Sequence, residues 1–187
     1  MTIRFLATSA SVIALCLIGA ASPGVTGEAG RDQTPFAVAA VQGTAPDFVG
    51  INNWFNSAPL NMASLRGKVV LVDFWTYGCV NCVNTLPRVT ELYAKYRDRG
   101  LVVVGIHTPE FPFERSASNV QAALKRHGII YPVAQDNESQ TWNAYRNRYW
   151  PAQYIVDKSG KIVFQHDGEG QYEQIDRTIA RLLNANS

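Results

Sequence analysis

The chain has 187 residues, a formal net charge of +2, 47% hydrophobic and 17% charged residues. That length allows one domain with a sizeable core plus an N-terminal extension, and the composition excludes a disordered chain. Lys and Arg are scattered along the sequence. Phosphate neutralisation needs a basic stripe, so nucleic-acid binding is excluded as the main task.

Residues 1–21 read as a secretory signal peptide. Arg4 gives a positive start, Phe5 to Ile18 is largely apolar, and Gly19, Ala20 and Ala21 form a small-residue cleavage region. The apolar run falls short of the ~20 residues of a spanning helix, with an uncleaved membrane anchor as the alternative. Both readings place the protein in the periplasm or otherwise outside the cytoplasm. Cys16 lies in this segment as a small apolar residue; a lipidated cysteine would want a small residue before it, where Leu15 stands. Residues 22–44, rich in Gly, Ala, Pro and Thr, read as a flexible leader, and the folded domain spans 45–187.

Phe48 to Phe55 and Pro59 to Met62 are expected to form a short hairpin turning at Asn56-Ser57. Lys68 to Trp75 is an almost continuous apolar run, which suits a strand covered on both faces in a mostly parallel sheet. A helix is expected from Val80 to Arg99, with Pro87 inside it and Gly100 as its stop. Leu101 to Ile106 reads as a second buried strand. Ser118 or Asn119 would cap a helix ending at His127-Gly128. A short strand at Tyr131 to Ala134 and a helix at Ser139 to Asn147 follow. Asp157-Lys158-Ser159-Gly160 turns a hairpin between Ala152–Val156 and Lys161–Gln165, expected at the end of the sheet remote from the first crossover. Ile175, Ile179, Leu182 and Leu183 mark one face of a last helix, about Tyr172 to Leu183. This order predicts a three-layer α/β domain with a mixed sheet flanked by helices, an N-terminal hairpin and a central strand–helix insertion.

Cys79-Val80-Asn81-Cys82 falls where a central strand ends and a helix begins. Unpaired N–H groups and the positive dipole end favour a thiolate there, making Cys79 the nucleophile. Cys82, about one turn on, lies within disulfide reach and would resolve the mixed disulfide. A closed zinc site wants four ligands, and neither a second cysteine pair nor a short His-to-His spacing accompanies this one. A structural disulfide across so small a loop would stabilise little. Asp73 places a carboxylate in an apolar strand. It is either a desolvated group of raised pKa relaying a proton to or from Cys82, or an Asp at a sheet edge, solvated or salt-bridged.

Val72-Asp73-Phe74-Trp75, the CxxC pair, Pro87 and the Trp150-Pro151 step resemble the thioredoxin core. Leu65-Arg66-Gly67-Lys68-Val69-Val70, Trp75-Thr76-Tyr77-Gly78-Cys79, His107-Thr108-Pro109-Glu110 and the run from Tyr145 to Ala152 are similar to the soluble domain of DipZ-type proteins, in the TlpA/ResA-like group. The resemblance covers about Ala45 to Leu183. It implies a thioredoxin-like fold and an extracytoplasmic thiol–disulfide oxidoreductase, without a cofactor or metal, that exchanges disulfides with protein thiol substrates. In DipZ such a domain is joined to a membrane electron carrier of the CcdA/DsbD type. These 187 residues carry no such part, so a separate carrier is expected to serve a monomeric protein, more as reductant than oxidant. Thr85 stands where TlpA and ResA proteins carry a Glu, so any role of that Glu does not transfer. The resemblance also makes Pro151 a cis-proline facing the cysteines, leaving neighbouring backbone free to pair with an extended substrate. Trp150 and Trp75 would line the same docking surface or sit in the core. Glu110 and His107 would stand at the active-site rim or form a capped, solvent-facing pair.

Two rival functions remain open. Thr76, three residues before Cys79, matches the Thr-x-x-Cys of a thiol peroxidase, although Val72 replaces the proline expected before it. Alternatively, a delivery protein would bind Cu(I) through Cys79, Cys82 and His107.

Overall fold

The computed structural model describes residues 43–185. In chain order these form β1 (Asn53–Phe55), β2 (Val69–Trp75), α1 (Val80–Tyr96), β3 (Leu101–His107), α2 (Ala117–Arg126), β4 (Val133–Gln135), α3 (Gln140–Ala144), β5 (Ala152–Val156), β6 (Ile162–Asp167) and α4 (Tyr172–Asn184). The strands make one mixed sheet in the order β1-β4-β3-β2-β5-β6. β2 runs parallel to β3 and antiparallel to β5, and every residue of β2 is buried.

Strand alternation divides the core between two faces. Val69, Leu71 and Trp75 pack with Leu86 and Val89 of α1, Val120 and Leu124 of α2, and Ile175 and Ile179 of α4. Val70, Val72 and Phe74 point the other way, against Met62, Leu65, Tyr145 of the chain after α3, and Tyr154. Asp73 shares the parity of Leu71 and Trp75, so it faces the layer that holds α1. The predicted three-layer α/β architecture with a mixed sheet is therefore present.

Local chemistry sets the element ends. α1 runs into a 3-10 turn, Arg97–Arg99, and stops at Gly100, whose φ of 102° lies in the left-handed region. Asp157 accepts the N–H of Ser159 and of Lys161, both at 2.9 Å, and so pins the β5–β6 turn.

Three expectations need correction. β1 does not pair with residues 59–62; it lies antiparallel to β4, and Asn56, at φ 63°, ties its end down by donating to the Ile129 and Tyr131 carbonyls. Ser116, not Ser118 or Asn119, caps α2, its hydroxyl accepting the Asn119 N–H at 3.4 Å. The β5–β6 hairpin does end the sheet, but β5 pairs directly with β2 rather than lying remote from the first crossover. The predicted signal segment and most of the leader lie outside the described residues. Among the described residues, no helix is long and apolar enough to cross a membrane.

Candidate active site

β2 ends at Trp75, and Thr76-Tyr77-Gly78 carries the chain to Cys79, the N-cap of α1, with φ −86° and ψ 117°. The Cys82 N–H donates to Cys79 Sγ at 3.4 Å, so the first turn of the helix directs a backbone donor at this sulfur. Both cysteines are free thiols in unequal settings. Cys79 is partly exposed, and its neighbour Val80 is 71% exposed, whereas Cys82 is 1% exposed. Burial pushes the Cys82 thiol far up, aided by its hydrogen bond with Cys79 and by the charges of Cys79 and Asp73; a hydrogen bond with the Thr76 backbone works the other way.

Asp73 occupies the middle of a central strand rather than a sheet edge. Its register partners are Gly105 on β3 and Gln153 on β5. Burial lifts its carboxyl from 3.8 to about 7, against the opposing hydrogen bond that Gln153 Nε2 donates to Asp73 Oδ1 at 3.1 Å. The absent side chain of Gly105 matters here, since a Cβ would come within 3.0 Å of Trp75 Nε1 and 3.2 Å of the Tyr131 ring.

The remaining candidates separate. Trp75 is fully buried in the core beneath the sheet and presents no docking surface. Trp150 is half-buried; its Nε1 donates to the Thr108 carbonyl at 3.1 Å, and its ring lies 4.1 Å from that of Trp142. The Trp150–Pro151 peptide bond is cis, and the Pro151 side chain is buried. His107 and Glu110 do not form a pair at the rim. Glu110 is exposed, while His107 is buried under Tyr77, whose ring stacks on it at 5.4 Å, with Thr76 Oγ1 3.3 Å from Nε2 and no partner at Nδ1. Burial lowers His107 from 6.5 to about 4, partly offset by the nearby Glu114. Among the described residues, no three His, Cys, Asp or Glu side chains gather as a metal site. Thr85 is buried and bonds back to the Asn81 carbonyl at 2.9 Å.

Two polar residues of the site escaped the sequence reading. Gln153 sits among apolar neighbours in β5, and only the strand register reveals what it faces. Glu114 is fully buried, and its Oε1 accepts the Gly78 N–H at 2.8 Å. The clustered Pro112, Phe113 and Glu114 gave a local turn signal, but nothing tied it to Gly78.

The profile of the AhpC/TSA family matches residues 41–165. DipZ of Mycobacterium bovis is 48% identical over 145 residues, which are 76% of this chain and 21% of DipZ; the chain thus spans about a fifth of that relative's length. The thiol-disulfide oxidoreductase YkuV of Bacillus subtilis is 29% identical over 74% of this chain and 93% of its own. A thiol-disulfide isomerase from Corynebacterium glutamicum superposes with a TM-score of 0.68 at 25% identity, covering 76% of this chain and 98% of that one. The fold is thioredoxin-like.

Proposed function

We propose, from the premise that the chain belongs to the AhpC/TSA family, that it is a thiol–disulfide oxidoreductase acting outside the cytoplasm on protein substrates through Cys79 and Cys82. Thiol–disulfide chemistry is the class that several of its similar proteins, YkuV and ResA among them, carry by name. The observation carrying the proposal is the inequality of the two sulfurs: one accessible at a helix start and receiving an N–H, the other buried one turn behind it.

The exchange follows from that inequality. The Cys79 thiolate attacks a substrate disulfide, forms a mixed disulfide and expels the first substrate thiolate, which takes a proton from water. Cys82 then gives its proton to the Asp73 carboxylate and attacks Cys79 Sγ. The Cys79–Cys82 disulfide forms, and the second substrate thiolate leaves. Two electrons pass to the substrate, and a membrane donor of the CcdA/DsbD kind returns them. Trp150 and the backbone beside Pro151 supply the docking surface. Reduction of substrates is the working direction. The thiol-disulfide oxidoreductases YkuV and ResA among the similar proteins support this reading over a peroxidase.

Insulin reduction with dithiothreitol as donor tests the proposal. Cys79→Ser is expected to abolish activity, and Cys82→Ala to accumulate mixed disulfides with substrate proteins. Unchanged insulin reduction by Cys79→Ser would refute the assignment. A reduction potential near −120 mV, about that of a strong oxidant, would reverse the direction.

A further inference from the structure

Glu114 lies in the 3-10 turn Pro112–Arg115 and is fully buried. Its carboxylate is divided between two segments. Oε1 accepts the Gly78 N–H at 2.8 Å, and Oε2 accepts the N–H groups of Glu110 at 2.7 Å and Phe111 at 2.9 Å. Among the described residues no Lys or Arg pairs with it; the side chain is held by backbone donors alone. An unpaired buried carboxylate is costly unless such donors surround it. The approach also depends on Gly78, because a side chain there would run into Glu114 Oε1. A second tie joins the same two segments: Tyr77 Oη donates to the Phe113 carbonyl at 2.9 Å. Beyond it the Phe111 and Phe113 rings stack at 5.6 Å, 47% and 57% exposed.

We propose that Glu114 is a positioning residue for disulfide exchange, fastening the turn that presents Cys79 and holding the cysteine pair toward the reducing side. The inference rests on the function proposed above and names what sets its direction. Glu114 touches neither sulfur. It acts through the residue before Cys79. It occupies the Gly78 N–H, a donor that would otherwise be free to turn toward the sulfur. It also seats its carboxyl beside the turn that presents Cys79. Keeping that donor from the sulfur destabilises the reduced, thiolate-bearing form relative to the disulfide. A less stable reduced form makes a stronger reductant.

Equilibration of Glu114→Gln with glutathione redox buffers reads this directly, with far-UV circular dichroism and thermal midpoint confirming the fold. The amide keeps the shape but loses the charge and turns one acceptor into a donor facing backbone N–H groups. The expected result is a tenfold shift toward the dithiol, about 30 mV in potential, with faster alkylation of Cys79 at fixed pH. Glu114→Asp keeps the charge one methylene short, so its shift is expected to be smaller. A folded Glu114→Gln protein whose equilibrium constant stays within twofold of wild type, or moves toward the disulfide, overturns the proposal. Should that variant not fold, Glu114→Asp decides instead: a carboxylate one methylene short loses its reach to the Gly78 N–H, a shift of at least twofold toward the dithiol is expected, and an unchanged constant overturns the proposal. Failure of the wild-type protein to form a Cys79–Cys82 disulfide at all would sink the proposed function rather than the role of Glu114.

Discussion

Asp73 is buried at the centre of a sheet, and the side chain that meets its carboxyl comes from the neighbouring strand, not from a cation. A group lifted to about 7 both holds and releases protons near neutrality, which suits a relay for a thiol that burial keeps protonated. Replacement by Asn keeps the volume and the Gln153 contact but carries no exchangeable acid proton. Asp73→Asn is therefore expected to slow resolution on the order of 10²-fold, leaving attack by Cys79 near wild type. Stopped-flow mixing with a mixed-disulfide substrate separates the two steps. Equal slowing of both would remove Asp73 from the relay, and so would a pH–rate profile that kept its inflection near 7.

Among the elements, β1 illustrates how a short segment is held by side chains more than by its own ladder. Asn56 adopts a left-handed φ that suits Asn, and it satisfies two carbonyls in the chain between α2 and β4. Asn56→Ala is expected to lower stability by about 2 kcal/mol, from lost hydrogen bonds and a strained φ. Asn56→Gly should recover the part owed to the backbone. Urea midpoints of the two variants measure the split, and equal losses would argue against a backbone contribution.

The same strand marks where sequence reading ran out. Elements with a strong local pattern were legible: the apolar run of β2, the helix start at the cysteines, the stop at Gly100, and the Asp157–Gly160 turn. Pairing of β1 with β4 joins residues some 80 positions apart, with Asn53 opposite Gln135, and no periodicity encodes that. The site divided the same way. The cysteine pair and Asp73 carry a spacing that can be read, whereas Gln153 and Glu114 reach the site across 80 and 36 residues and owe their roles to register and a close approach at a glycine. Trp75 and His107 belong to strands whose burial runs to the last residue, so a place near the motif did not bring them to the surface.

Across the whole molecule, two buried groups on the active-site side that titrate between acid and neutral pH balance each other. Asp73 rises from 3.8 to about 7, so its proton favours the folded state at low pH, and that contribution, about 4 kcal/mol, is lost as pH rises toward 7. His107 falls from 6.5 to about 4, so its contribution, about 3 kcal/mol, is present above pH 6.5 and lost as pH falls toward 4. Between these limits folding adds a proton at Asp73 and removes one at His107, and the two slopes cancel. Asp73→Asn is expected to uncover a stability that rises with pH from 4 to 6.5 relative to wild type, and His107→Gln one that falls with pH over the same window. Urea denaturation of the reduced proteins at several pH values measures both. Parallel curves for wild type and both variants would contradict these placements.

The unequal depth of the two sulfurs also determines how the protein meets an oxidant. On the proposed exchange chemistry, hydrogen peroxide is expected to meet Cys79 before the buried Cys82, with sulfenic acid forming on the outer sulfur first. The inner thiol then condenses with it, releasing water and closing the ring before further oxygen is added. Damage is thereby converted into the ordinary oxidised form, which the next pair of electrons erases.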